Sequence, residues 1–393
     1  MTNDAAAFKP QGNTTVLSFA TAAFGVCFAV WALYAPLGPY FREELHISET
    51  QLALLISIPA FLGAVMRIPM GILTDMYGGR KVFSALLLFC FLPTIAAMYA
   101  NTYGFLFVCG FLFGMSGTSF AVGIPHVSRW YPQHRQGLVL GIYGIGNVGA
   151  ALSTLFVPRL IMYFGGDWHS IFPLYAIPCL IMAVLYWQFT TDAPTGASTK
   201  SLGEIMGVFR RTPLAWTFCA FYWVTFGGFV CFSLFLPAYF KKVYNITPVQ
   251  AGDLTTVFIL VTSFIRPIGG YLADRMDGRK MLIVLYILIA ALLILEGLRP
   301  NLTMASVAFV LLGALLGIGN GVVYKLVPTY FAAETGAIGG LVGAAGGLGG
   351  FFMPIVLGAS RDMTGSYFTG FGIAAAICLL CVYLARKEFK RVE

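Results

Sequence analysis

The sequence predicts an all-α membrane protein of twelve transmembrane helices arranged as two related six-helix halves. Three observations predict it: an apolar composition, twelve hydrophobic stretches of spanning length, and a repeat at a fixed offset. Of the 393 residues, 59% are hydrophobic and only 10% are charged. A water-soluble domain carries about 25% charged residues, so this chain has too few charges to clothe a globule. A helix of roughly 20 apolar residues crosses a bilayer. Stretches of that kind run through the whole chain, which excludes a single anchor bearing a soluble domain. The 45 glycines suit close helix packing in lipid.

In chain order the stretches fall at about 16–40, 51–73, 82–100, 104–127, 137–160, 170–190, 214–239, 252–273, 281–298, 303–326, 337–358 and 367–385. The first fifteen residues carry one basic side chain, Lys9, and show no charged start, short apolar core and cleavage site. The first stretch is therefore expected to remain as a helix. The longest polar interruption, Thr191 to Pro213, lies between the sixth and seventh stretches. It divides the chain into an N-terminal half at 1–190, a linker at 191–213 and a C-terminal half at 214–393. Lysine and arginine in short loops set orientation. With a cytoplasmic N-terminus, sixteen of them fall on the cytoplasmic side and six on the other. An even number of spans then places both termini in the cytoplasm of a cell carrying this protein in its inner, or plasma, membrane.

Other classes are excluded on composition. The net charge is +8, but no basic run interleaves with aromatics, so a nucleic-acid partner has no basis. The eight cysteines all lie in apolar stretches and read as small apolar residues. Cys378 and Cys381 form a C-x-x-C without a partner pair, so neither a metal site nor a cofactor is expected.

The halves repeat at an offset of 199 residues. The second span ends Arg67-Ile-Pro-Met-Gly71-Ile-Leu-Thr-Asp75-Met-Tyr-Gly-Gly79-Arg80-Lys81. The eighth ends Arg266-Pro-Ile-Gly-Gly270-Tyr-Leu-Ala-Asp274-Arg-Met-Asp-Gly278-Arg279-Lys280. The same offset pairs Gly137, Gly141 and Gly144 with Gly336, Gly340 and Gly343. Two related halves with a site between them near the bilayer midplane are a known transporter plan.

Two basic residues are not loop residues. Arg67 lies eight positions before Asp75, about 12 Å along a helix, and Arg266 stands in the same relation to Asp274. A charge at that depth is expensive and points to function. No carboxylate occurs in the interior of a span to neutralise either one; Glu296 and Asp253 lie near span ends and Glu334 in a loop. Two unpaired guanidinium groups facing one cavity attract an anion, and their planar forks suit planar oxyanions. Carboxylate, nitrate, nitrite and phosphate are thereby favoured over sugars, amines and cationic drugs.

The run from Gly71 to Lys81 resembles the signature loop of the major facilitator superfamily, and the run from Gly270 to Lys280 resembles its weaker copy. Asp75 and Asp274 read as gating and structural residues, with Asp75 placed to cap a neighbouring helix. The glycine-rich fifth and eleventh spans resemble the paired signatures of the nitrate/nitrite porter family, over all twelve spans. That resemblance implies substrate arginines at Arg67 and Arg266. It also implies roles for Tyr222 and Phe226 in the seventh span, Phe120 in the fourth and Asn147 in the fifth. In the tenth span it implies Asn320 and Tyr324, within Gly319-Asn320-Gly321 and before Lys325. Gly141, Gly144, Gly343 and Gly347 are expected at sliding helix contacts; Gly346 or Gly347 stands where some members have an asparagine. Phe120 and Phe226 are expected to sandwich a flat anion.

The expectation is a carrier, with no catalytic constellation, that moves nitrate or nitrite by alternating access as a functional monomer in the lipid bilayer. Two like charges across a dry cavity make empty closure costly, which favours anion exchange. Proton symport is the alternative coupling, and His126, opposite Lys325 in the repeat, is its candidate proton carrier. An exchanger of small carboxylates such as formate or oxalate is the alternative substrate class. A non-transporting anion sensor would need an output domain, and no loop here is long enough for one.

Overall fold

The computed structural model describes residues 11–132, 135–194, 207, 212–331 and 335–392, and among them no strand occurs. The charged residues Lys9, Lys200, Arg210, Arg211 and Glu334, and most of the segment expected as a linker, lie outside the described residues. Eleven helices are long and apolar enough to cross a membrane, and one bent pair supplies a twelfth span. The first six are α1 (Thr14–Leu45), α2 (Glu49–Val65 with Arg67–Tyr77), α3 (Gly79–Tyr99), α4 (Tyr103–Ser128), α5 (Ile142–Tyr163, entered from Gln136) and α6 (Ile171–Phe189). The second six are α7 (Pro213–Tyr244), α8 (Pro248–Arg275), α9 (Gly278–Gly297), α10 (Leu302–Tyr330), α11 (Thr335–Thr364) and α12 (Phe368–Val392).

Helix starts repeat the sequence offset. A capping box of Ser48 and Gln51 opens α2, and one of Thr247 and Gln250 opens α8. In each, two otherwise unsatisfied N-terminal donors find side-chain partners. Thr102 caps α4 and Asn301 caps α10 by accepting from the backbone three residues on. His46 and Asn245 both turn the chain with left-handed backbone, at φ 49° and 52°. Each of these pairs is separated by the 199 residues of the arginine repeat.

The halves differ in regularity. The segment Arg67–Tyr77 turns by 44° from the first part of α2. Pro69 accounts for the break, because it has no N–H for the Val65 carbonyl and its ring crowds that oxygen. The matching proline in α8, Pro267, stands one place earlier in the repeat, and α8 runs unbroken from Pro248 to Arg275. Tight 3-10 turns also interrupt α4 at Gly114–Thr118 and α5 at Ile145–Asn147.

Among the first six helices, α1 packs on α5 and α6, and α3 packs on α6. Among the last six, α7 packs on α11, α8 on α10, and α9 on α12. The two sets meet where α2 lies along α11 and α5 along α8. Glycine makes the tightest approaches possible. A Cβ on Gly149 of α5 would stand 2.0 Å from the Gly25 carbonyl oxygen of α1, and one on Gly349 of α11 would stand 2.7 Å from the Trp223 oxygen of α7.

The first and last described residues, Gln11 and Val392, lie at one face of the bundle, here the terminal face. At the opposite, distal face, polar side chains join the two sets of six. Asp362 of α11 accepts from the Glu49 N–H at 3.1 Å, from the Thr50 N–H at 2.7 Å and from the Thr50 hydroxyl at 2.5 Å. Arg159 of α5 pairs with Asp253 of α8 at 2.8 Å. Lys241 of α7 pairs with Glu43 of α1. At the terminal face the described ion pairs stay within one set: Asp75 with Arg129 at 2.5 Å, and Asp274 with Lys325.

Candidate anion site

Arg67 stands at the first residue after the α2 break, and Arg266 at mid-depth in α8. Each is half-buried rather than sealed in the protein, and their charges act on one another. Among the described residues neither guanidinium pairs with a carboxylate; their partners are neutral. Arg67 donates through Nη1 to the Gly343 carbonyl of α11 at 2.8 Å, and its Nε has no partner. Arg266 donates through Nη2 to the Tyr222 hydroxyl of α7 at 3.1 Å.

Aromatic rings close the circle between the two. Tyr222 and Phe226, one turn apart on α7, stack at 5.0 Å with their planes 2° apart. The Arg67 guanidinium lies 5.3 Å from the centre of the Phe226 ring, and that of Arg266 lies 5.3 Å from the centre of Tyr324. Tyr222 and Tyr324 meet edge to face at 4.9 Å. The faces of these rings draw the cations while leaving guanidinium N–H groups available to a planar oxyanion. Asn320 stands one turn from Tyr324 on α10, is 2% exposed, and has an unpartnered Oδ1.

Glycines give the circle its room. A Cβ on Gly343 would lie 3.0 Å from the Tyr324 hydroxyl and 3.6 Å from Arg67 Nη1, and one on Gly346 would lie 2.5 Å from the Tyr222 ring. A Cβ on Gly347 would lie 2.7 Å from that of Ala64 in α2, so this glycine serves helix contact. Gly144 has open space around it, and the surroundings of Gly141 lie outside the description.

Other expected residues have the following neighbours. Phe120 packs with Phe24 at 5.6 Å and Tyr143 at 6.1 Å, within the first six helices. Asn147 is buried in the 3-10 turn of α5. Asp75 forms an ion pair with Arg129 instead of a helix cap. The cation that answers Asp274 is Lys325, at the repeat position of His126, whereas Arg129 takes that duty beside Asp75. His126 is 2% exposed, with Nδ1 2.7 Å from the Tyr186 hydroxyl and Nε2 3.1 Å from the Thr191 carbonyl. Both ring nitrogens are thus engaged, one by α6 and one by the residues that follow it. The Tyr222 bond to Arg266 and the Gly343 carbonyl on Arg67 were missed in the sequence, since backbone acceptors and hydroxyl partners leave no pattern there.

A twelve-span bundle with a charged site at mid-depth between its two sets of helices is a secondary transporter. The model of the Major Facilitator Superfamily matches residues 19–252 and 222–393. A probable nitrate/nitrite antiporter from Thermus thermophilus is 35% identical, covering 94% of this chain and 90% of its own. The nitrite extrusion protein of Bacillus subtilis is 33% identical over 90% of this chain and 88% of its own. A probable nitrate transporter of Staphylococcus haemolyticus is 32% identical over 98% of this chain and its whole own length. A solved bacterial homologue of the human lysosomal transporter Spinster aligns over 95% of this chain and 96% of its own, with a TM-score of 0.73 and 17% identity, which establishes the shared fold. The chain belongs to the nitrate/nitrite porter family of the major facilitator superfamily.

Proposed function

We propose that this transporter exchanges nitrate for nitrite across the cytoplasmic membrane, with Arg67 and Arg266 gripping the anion. The carrying observation is that two guanidinium groups at mid-depth meet only neutral partners: a carbonyl, a hydroxyl and aromatic faces. A resident carboxylate would cancel the site; neutral partners leave its charge for a guest. Tyr222, Tyr324, Asn320 and Asn147 supply hydrogen bonds, and Phe226 and Phe120 supply dry walls that strengthen the arginine contacts. The names of the relatives support nitrate and nitrite over small carboxylates as cargo.

In this reading the halves at 1–190 and 214–393 rock about the site as one functional monomer, joined by the linker at 191–213. The terminal face is cytoplasmic, as the excess of lysine and arginine on that side supports. The three contacts between the halves at the distal face then shut the outside, so the site in this structure faces the cytoplasm. Exchange follows from charge. Without an anion, like charges must be enclosed together, which is costly in a dry cavity.

The test is uptake of labelled nitrate by protein in liposomes loaded with nitrite, with formate or with nothing, with and without a pH gradient. Uptake is expected only against internal nitrite. Absence of nitrate movement under every condition removes the cargo assignment, and uptake into empty vesicles driven by the pH gradient alone replaces exchange with proton symport.

A further inference from the structure

A second buried charge-bearing group lies far from the arginines. Glu296, one residue from the end of α9, is fully buried, and neither of its carboxyl oxygens has a hydrogen-bond partner. Its neighbourhood is aromatic. Tyr239 and Tyr244 of α7 both lie within reach of its charge. Tyr239 is 1% exposed and its hydroxyl interacts with that of Tyr244, which donates to the Pro300 carbonyl at 3.0 Å. From α12, Phe371 packs on Tyr239 at 5.8 Å and Phe368 approaches Gly297; Tyr367, just before α12, lies 5.3 Å from Tyr239. From α10, Phe309 meets Tyr239 at 5.8 Å.

Arg299, Arg361, Arg42 and Asp362 act on the surrounding tyrosines, but among the described residues none pairs with Glu296. Arg299 is exposed and forms no described ion pair with Glu296. Arg361 lies over Tyr367, and Asp253 of α8 is held by Arg159. An ionised carboxylate left without a partner in a dry site is strongly disfavoured. The neutral acid needs no counter-charge and fits an aromatic box. The same end of α7 carries Lys241, whose pairing with Glu43 helps to close the distal face.

We propose that Glu296 is a proton-binding site, loaded as the neutral acid while the distal face is closed and emptied to outside water as that face opens. The step breaks the carboxyl O–H bond and delivers the proton to water; no other bond changes. The closed packing of Tyr239 and Tyr244 excludes the water that the carboxylate needs. Release therefore requires the α7 end to move, and that movement pulls on Lys241. The proposal rests on alternating access but not on nitrate as the cargo.

Two measurements test it without any transport assay. Infrared spectra of the full chain in lipid at neutral pH are expected to show a protonated-carboxyl carbonyl band that disappears in Glu296→Gln and shifts in Glu296→Asp. Identical spectra for wild type and Glu296→Gln overturn the proposal. The second uses spin labels at Tyr163→Cys and Met363→Cys, exposed positions on the distal ends of α5 and α11; the eight native cysteines are buried. Raising the pH is expected to shift wild type toward the longer label distance and to leave Glu296→Gln at the shorter one. A Glu296→Gln protein that opens with pH as wild type does overturns the proposal. So does closure that depends on sodium rather than on pH, which would make the site a metal-cation site.

Discussion

At the scale of single residues, the arginines set the sharpest expectation. A lysine keeps the charge of Arg67 or Arg266 but loses the planar fork. A hydrogen bond to a charged group contributes roughly 1.5–3 kcal/mol, so Arg67→Lys and Arg266→Lys should each lower nitrate exchange at least about tenfold while membrane insertion is retained. Exchange rates in liposomes beside protein yield read this out, and unchanged exchange by either variant would remove that arginine from the site. Tyr222→Phe is milder. It deletes the hydroxyl that accepts from Arg266 at 3.1 Å, a neutral partner to a charged donor, and should raise KM for nitrate several-fold with little change in maximal rate. The two arginines were legible because a charge inside an apolar stretch stands out and the repeat doubled the signal. Glu296 was not. Its distance from the span end suggested access to water, and only the folding of Tyr239 and Tyr244 over it shows burial.

At the scale of helices, glycine spacing and proline placement carry the consequences. Gly149→Ala would drive a methyl group against the Gly25 carbonyl, backbone that cannot swing aside. Overpacking of this kind costs ~1–3 kcal/mol, and the variant should lose several degrees of melting temperature in detergent by a thermal-shift assay. Pro69→Ala should act in the opposite direction on stability. It restores an N–H for the Val65 carbonyl and removes a ring clash, a defect of ~3 kcal/mol in a helix interior. The straightened α2 would carry Arg67 away from Gly343 and Phe226, so exchange should fall as the melting temperature rises. If both rise together, the break does not position the arginine. Span number and order could be read from hydropathy, and the periodic glycines foretold close helices. The 3-10 turns of α4 and α5 could not, because their glycines and small polar residues are equally compatible with a continuous helix.

At the scale of the whole molecule, the two faces hold their charges differently. At the distal face Glu43, Asp253 and Asp362 reach across to the other half, whereas Asp75 and Asp274 at the terminal face pair within their own. Asp362 is the most connected of the three groups that bridge the halves, because it satisfies two N-terminal amides and a hydroxyl of α2 at once. A carboxylate at a helix N-terminus also gains from the helix dipole. Asp362→Asn keeps the shape and removes the charge, so the Tyr163 and Met363 label pair should report a larger fraction of the longer distance. An unaltered distribution would mean that packing, not charge, holds the face shut. Which distal acid meets which base of the other half was beyond the sequence, since that pairing is decided only in three dimensions.

Those distal pairs are partly exposed: the side chains of Arg159 and Asp253 are 41% and 43% accessible, and that of Glu43 is 65%. Mobile ions in the surrounding medium therefore reach them. The Debye length falls from about 10 Å at 0.1 M to about 3 Å at 1 M ionic strength, which weakens such attractions while the aromatic packing beneath them is untouched. The carrier's resting preference should accordingly drift toward its outward-open form as external salinity rises, giving the protein a sensitivity to brine that owes nothing to its cargo.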